Sequence, residues 1–463
     1  MIAALVVAAL CLAVDAAAQP ALSPAAVVQA VERWLPALAK AAQDLRAAEA
    51  DVIAAAGAFD LTVKSDGLID RGYYDTETLK LSAEQPLAPL GMNVYGGYRM
   101  GRGTYAPYDG KLQTLSDGEF TAGVTLPLLR DRAIDSRRTD QLLARAGVDL
   151  ADAGLERVRL GAYRDALVRY WDAVAAAEQW RIQVALLALA EQRDQQLADT
   201  VALGQIPAVE RTDNARAVRQ RRAAVVAAQR TFEQQAIELS LLLRDDTGVP
   251  RLVTADELTL PTVDALADPP TEQEMLDLAL ATRPELRTLG ARREQLAAVE
   301  RLARNAQRPR LDLFSEAARD VGDGPASRSG SSVRAGVTFG WPVQRRRAIG
   351  QTIRATAALA GLDQERRFAL DRVRADVQDG LSAWRAAADA LVHVREELAL
   401  ARELEGLERD RFTLGDSTQF MVNLRELATA DAALREVRAV VERRKAQVTI
   451  EAASGRLLRS GPS

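Results

Sequence analysis

From Phe120 to Leu126 the chain alternates apolar and small or polar positions, with Phe120, Ala122, Val124 and Leu126 set against Thr121, Gly123 and Thr125. The same alternation returns where Val333, Ala335, Val337 and Phe339 are interleaved with Ser332, Arg334, Gly336 and Thr338. A period of two predicts strands with one apolar face. Each run closes on a proline, Pro127 or Pro342, and beyond it apolar residues fall at threes and fours for dozens of positions. That is the period of a helix, and proline, which lacks the N–H that a helix interior needs, suits the joint between the two regimes. A strand therefore passes into a long helix twice.

The rest of the chain falls into two copies of this unit. Residues 19–244 and 271–463 each begin with helical patterns broken at equivalent prolines, Pro36 and Pro284. Ser23-Pro24 reads as a helix cap with proline in the first turn. Strands follow at 59–129 and at 309–342. The second copy has two strand candidates, Pro309 to Arg319 and Ser332 to Trp341, whereas the first carries an extra hairpin from Leu79 to Gly103. Long antiparallel helical hairpins occupy 132–244 and 344–458. Their first arms run to about 70 residues, on the order of 105 Å at the helical rise. Leu160, Tyr163, Leu167, Tyr170 and Val174 form a coiled-coil seam, as do Leu370, Val373, Val377, Leu381 and Trp384. Gly147, Gly154 and Gly161 recur every seventh residue, which predicts a helix packed closely against them. Both hairpins turn at a glycine, Gly204 and Gly415, suited to a left-handed C-cap. A connector spans 245–270, with a short strand expected at Arg251 to Thr254.

Composition supports packed helices over a layered α/β enzyme: the 463 residues are 48% apolar and 27% charged, but only 5% aromatic. The net charge of −4 leaves no basic field for nucleic acid. With one cysteine, Cys11, and one histidine, His393, clustered metal sites and Cys–His catalysis are excluded by count. Neither a Gly-rich phosphate loop after a strand nor a Gly-x-Ser-x-Gly elbow occurs, so no catalytic residue, metal or cofactor is expected. Residues 1–18 read as a secretory signal, with an apolar run from Ile2 to Val14 and small residues at Ala16 to Ala18, though without the usual positive start. After residue 18 no apolar run is long enough to cross a bilayer as a helix, so any membrane passage must be made by strands. Six of the eight tyrosines lie between Tyr73 and Tyr108, and Tyr73, Tyr74, Tyr95 and Tyr98 are candidates for an interfacial girdle.

A duplicated strand-and-hairpin unit behind a signal peptide resembles the TolC-like outer-membrane efflux proteins, or outer membrane factors. The likeness is carried by Arg283-Pro284-Glu285-Leu286, Pro309 opening a strand, Pro127 and Pro342 at the joints, and Gly204 and Gly415 at the turns. It implies a mainly α chain with a transmembrane β-barrel, in which barrel and helical tunnel are shared by a homotrimer. It also implies a location in the outer membrane, extending into the periplasm, and a passive exit duct coupled through a periplasmic adaptor to an inner-membrane transporter. Family members supply four strands each to a twelve-stranded barrel. That count favours setting the Leu79–Gly103 hairpin outside the barrel; if it crosses the membrane, the total becomes eighteen. By the same resemblance, acidic residues after the glycine turn hold the entrance closed, which points to Glu210 and Asp213. The second copy departs from this pattern, with Met421 at the position equivalent to Glu210. The competing class is a periplasmic adaptor or coiled-coil scaffold, which normally carries one hairpin between β-domains, not two copies each preceded by alternating strands.

Overall fold

In the computed structural model, which describes residues 21–204, 207–261 and 271–460, both periodic regimes appear where the sequence places them. The expected signal segment 1–18 with Cys11, Gln205 and Ile206 of the first turn, and residues 262–270 of the connector lie outside the described residues.

The strands are β1 (Thr62–Asp70), β2 (Thr76–Pro86), β3 (Asn93–Gly103), β4 (Glu119–Pro127), β5 (Arg310–Asp320) and β6 (Gly330–Gly340). They form one antiparallel sheet in sequence order, β1-β2-β3-β4-β5-β6. Each is 9 or 11 residues long, the length of a tilted membrane-crossing strand. The helices are α1 (Pro24–Trp34), α2 (Pro36–Ala56), α3 (Ser136–Ala202), α4 (Ala208–Ser240), α5 (Glu272–Thr282), α6 (Pro284–Asn305), α7 (Arg346–Thr413), α8 (Gln419–Ala453) and α9 (Leu457–Ser460). The first arms of the two hairpins, α3 and α7, have 67 and 68 residues, and the return arms α4 and α8 have 33 and 35. Among the described residues no helix is long and apolar enough to cross a membrane.

Side-chain caps start several of these helices, the one at Ser23 as expected. Ser23 accepts from the Ala26 N–H at 3.1 Å ahead of Pro24, and Thr271 with Glu274 forms a capping box at α5.

The chain forms two compact units, and α3 and α7 each run through both. One holds the sheet with α2, α6 and the first parts of α3 and α7. The other holds α1, α4, α5, α8, α9 and the remainder of α3 and α7. Its core includes the predicted seam residues Leu167, Val174 and Val377, which are fully buried together with Val440 and Val441 of α8. The equivalent tryptophans Trp171 and Trp384 pack beneath consecutive arginines of α8, with Arg444 5.6 Å from the Trp171 ring centre and Arg443 5.4 Å from that of Trp384. A Tyr163 hydroxyl donates to Glu32 at 2.6 Å, tying α1 to α3.

Two expectations are corrected. The Leu79–Gly103 hairpin is part of the sheet: β2 and β3 pair along their whole length, from Thr76 opposite Gly103 to Pro86 opposite Asn93. Its turn folds back onto the β4–α3 joint, where Gly91, at φ +66°, sits so near that joint that a Cβ would come within 2.4 Å of the Asp131 carbonyl oxygen. Four strands per chain therefore become six. The expected strand at Arg251 to Thr254 does not form, because no neighbouring strand pairs with it; only an isolated bridge, Arg244 to Pro250, lies nearby. Gly147, Gly154 and Gly161 have open space within 4 Å in the single chain. Within the chain a close helix approach occurs at Gly380, where a Cβ would lie 3.3 Å from Ile450.

Candidate channel wall and hairpin turns

Because side chains alternate across a strand, the register fixes two faces for the sheet. Val63 lies opposite Ala83, Leu81 opposite Tyr98, Tyr98 opposite Phe120, Val124 opposite Ser315, and Leu313 opposite Val337. These residues share one face, which is apolar from β1 through β6. The other face is polar and carries a row of ion pairs: Arg99 to Glu119 at 2.5 Å, Arg310 to Asp312 at 2.5 Å, Arg334 to Glu316 at 2.5 Å and Lys64 to Glu84 at 3.6 Å. A sheet with one apolar and one ionic face suits a barrel wall between lipid and a water-filled lumen. Both edges are open. Every residue of β1 is exposed, as are all but one in β6.

The four girdle candidates separate. Tyr98 stands on the apolar face, its ring 5.0 Å from that of Phe120. Tyr73 and Tyr74 lie in the β1–β2 turn with ring centres 4.8 Å apart, and Tyr73 is 92% exposed. Tyr95 is a correction: strand parity puts it on the polar face, where its hydroxyl donates to Glu316 at 2.9 Å. Clustering of tyrosines in sequence does not report parity, and Tyr95 and Tyr98, three residues apart in one strand, must point to opposite sides.

At the joints, Pro127 is the last residue of β4 and pairs with Asp312, while Pro342 lies two residues beyond β6. The two joints differ in length: α7 begins four residues after Pro342, but α3 begins nine after Pro127. Asp131 and Arg345 have positive φ, 66° and 48°, in these turns.

Both hairpin turns use the predicted glycines in the left-handed region, Gly204 at φ +72° and Gly415 at φ +80°. After the second turn the Thr418 hydroxyl caps α8 by accepting from the Met421 N–H at 3.4 Å. Glu210 occupies the first turn of α4, half-buried and, among the described residues, without an ion-pair partner. Asp213 pairs with Arg216 at 3.2 Å.

Periodicity and spacing carry no sign of a buried charge cluster near these turns. Glu426 of α8 is 2% exposed and meets one arginine from each of the other three long helices. Arg193 of α3 makes two hydrogen bonds to it, one at 3.1 Å; Arg409 of α7 reaches it at 3.2 Å and Arg221 of α4 at 3.5 Å. Arg193 also donates to Asn423 at 2.5 Å. Burial opposes ionisation of Glu426, but hydrogen bonding to Arg193 and Arg409 and the charges around it outweigh that and hold its carboxyl below the ordinary value. Burial likewise lowers the Arg221 guanidinium, against the pull of Glu426. An arginine spaced for such a cluster looks like any charge on a solvated helix face until four helices are brought together.

A six-stranded antiparallel sheet with a continuous apolar face and two long helical hairpins define the fold. The chain is similar in structure to the MtrE outer-membrane channel of Neisseria gonorrhoeae, captured in its open state, with a TM-score of 0.67, 15% identity, and coverage of 93% of this chain and 88% of that one. It is similar also to the CmeC outer-membrane channel of Campylobacter jejuni, with a TM-score of 0.65, 13% identity, and coverage of 93% and 84%. The outer-membrane protein VceC of Vibrio cholerae aligns with a TM-score of 0.64 and 14% identity over 93% of this chain and 95% of that one. No family model matches the chain, and no curated protein matches it in sequence. The fold is that of the TolC-like outer-membrane channels.

Proposed function

We propose that the chain is an outer-membrane exit duct: a passive, water-filled path from periplasm to exterior, assembled as a homotrimer, with energy supplied by an inner-membrane pump reached through a periplasmic adaptor. The observation that carries this reading is the two-faced sheet, apolar on one side along all six strands, with both edges unpaired. Open edges in lipid would leave unsatisfied backbone groups, so the sheet must be closed by other copies. With an even number of strands per chain, β6 of one copy can meet β1 of the next in antiparallel fashion all the way round. Three copies then give eighteen strands. The wall is wider than the twelve-stranded barrel that the resemblance implies, and diameter grows with strand number.

On this reading Tyr98, with Tyr73 and Tyr74, belongs to the membrane girdle, Gly204 and Gly415 turn the hairpins at the periplasmic entrance, and Glu210 gates that entrance. Purified protein in planar bilayers is expected to conduct ions as a trimer. A monomeric, non-conducting species would overturn the duct.

A further inference from the structure

We propose that the polar side of the strand-to-helix joint is an anion-binding collar, and that the solutes it favours are organic anions bearing carboxylate, phosphate or sulfonate groups. The inference deepens the reading above and rests on it for the word "solute". A cavity of about 1380 Å³ lies among the joints, α6 and the start of α7. From the sheet it takes Glu84, Asn93, Thr125 and Asp312, all on the polar face. It therefore opens toward the ionic side of the wall and away from the lipid side.

Seven arginines and four carboxylates line this cavity. The carboxylates are already engaged. Asp312 holds Arg310; Glu84 accepts from Asn93 at 2.6 Å; Asp135 caps α3 by accepting from the Arg138 N–H at 2.9 Å; Asp131 accepts from Asn305 at 3.0 Å. Arg137, Arg346, Arg347 and Arg354 have no carboxylate within ion-pair distance among the described residues. Among the described residues the Nε atom of Arg345 is buried without a hydrogen-bond acceptor, and that of Arg130 has only the Asp131 carboxylate, at the ion-pair distance of 3.6 Å. Arg346 and Arg347 are moreover the first two residues of α7, where the helix dipole disfavours cations and favours an anion. A guanidinium offers planar, paired donors that match carboxylate and phosphate oxygens. Excess cationic donors around a water-filled cavity are satisfied together by a multivalent anion.

The test is calorimetric titration of the full chain in detergent at low salt, with inorganic pyrophosphate as probe. Saturable binding is expected, weakened about tenfold in R346Q/R347Q/R354Q, as loss of several charge-assisted donors requires. The matched variant R145Q/R301Q/R308Q, changed at a separate arginine-lined recess, should bind as the parent does. Absence of saturable binding, or equal loss in both variants, overturns the collar. If the triple variant fails to fold, the single R354Q change at an exposed side chain replaces it, and an affinity equal to the parent's is the overturning result. Short-chain phosphatidylglycerol distinguishes sources: binding of that lipid in place of pyrophosphate overturns the solute reading. Pyrophosphate binding in a protein that does not conduct would sink the duct and leave the anion site standing, whereas conduction without binding does the reverse.

Discussion

Arg193 and Glu426, 233 residues apart in sequence, face each other inside the helical unit, with the Glu426 side chain 1% exposed and that of Arg193 13% exposed. The pair joins the first hairpin to the second. Arg221 and Arg409 complete the ring around the Glu426 carboxylate, Arg409 being shared with Glu405 at 2.6 Å. Removing one member of a buried pair leaves the others uncompensated, at a cost of about 3–5 kcal/mol. Glu426→Ala is expected to destabilise the helical unit by that order, measured by denaturant unfolding followed by circular dichroism. A loss below about 1 kcal/mol, the range of exposed pairs, would mean that water already screens the cluster.

The same carboxylate sets a pH dependence. Its folded pKa lies below the ordinary value of 4.5, so between those two values the unfolded chain binds more protons than the folded one. The stabilisation is complete above the unfolded value and is lost as pH falls through the lowered folded value. The parent should therefore lose stability on acidification below about pH 4.5 more steeply than Glu426→Gln, which has no proton to gain there. Parallel curves of melting temperature against pH would count against the assignment.

Fold and site were unequally legible. Helix and strand periods, the cap at Ser23 and the glycine turns are local, and each is readable because a single segment satisfies its own backbone. Partnership across distance is not. Leu79 to Gly103 reads as a hairpin from its own residues, but whether it joins β1 and β4 depends on a ladder that local periodicity does not encode. Tyr95 failed as a girdle residue for a related reason: only register assigns its face. Glu426 was missed because charges on long helices are usually solvated, and its burial comes from four helices meeting.

Membership of β2 in the membrane wall can be tested by parity. Leu81 is on the apolar face opposite Tyr98, and its neighbour Ser82 is on the polar face opposite Gly97. Leu81→Arg places a charge toward lipid, at about 2–4 kcal/mol near the bilayer midplane, and should abolish heat-resistant trimers in outer-membrane fractions. Ser82→Arg should leave them intact. Equal tolerance of both changes would put the hairpin outside the membrane after all.

The glycine turns make a backbone prediction. Gly415 has open space around it, so a methyl group meets no neighbour there, yet its φ of +80° is one that L side chains adopt with strain. Gly415→Ala should cost about 1–2 kcal/mol. In α7, Gly361 also has open space, at ordinary helical φ. Gly361→Ala should be neutral or stabilise by up to about 1 kcal/mol. Thermal unfolding of the pair separates conformational strain from steric effects, and a destabilised Gly361→Ala would reveal a neighbouring copy packed on that face.

Glu210 separates gating from stability most cleanly. Among the described residues it has no ion-pair partner, and its interaction with the α4 N-terminus is worth about 0.3–1 kcal/mol. Glu210→Ala should therefore leave unfolding almost unchanged. In a trimer, three such carboxylates near a constriction would bind cations and restrain opening, so the substitution should raise resting conductance and weaken block by divalent cations in bilayers. Asp213, already paired with Arg216, should give a smaller change when replaced by Ala. If Glu210→Ala conducts and is blocked as the parent is, its carboxylate only caps a helix, and the closed state must be held elsewhere, with the Glu426 cluster the next place to cut.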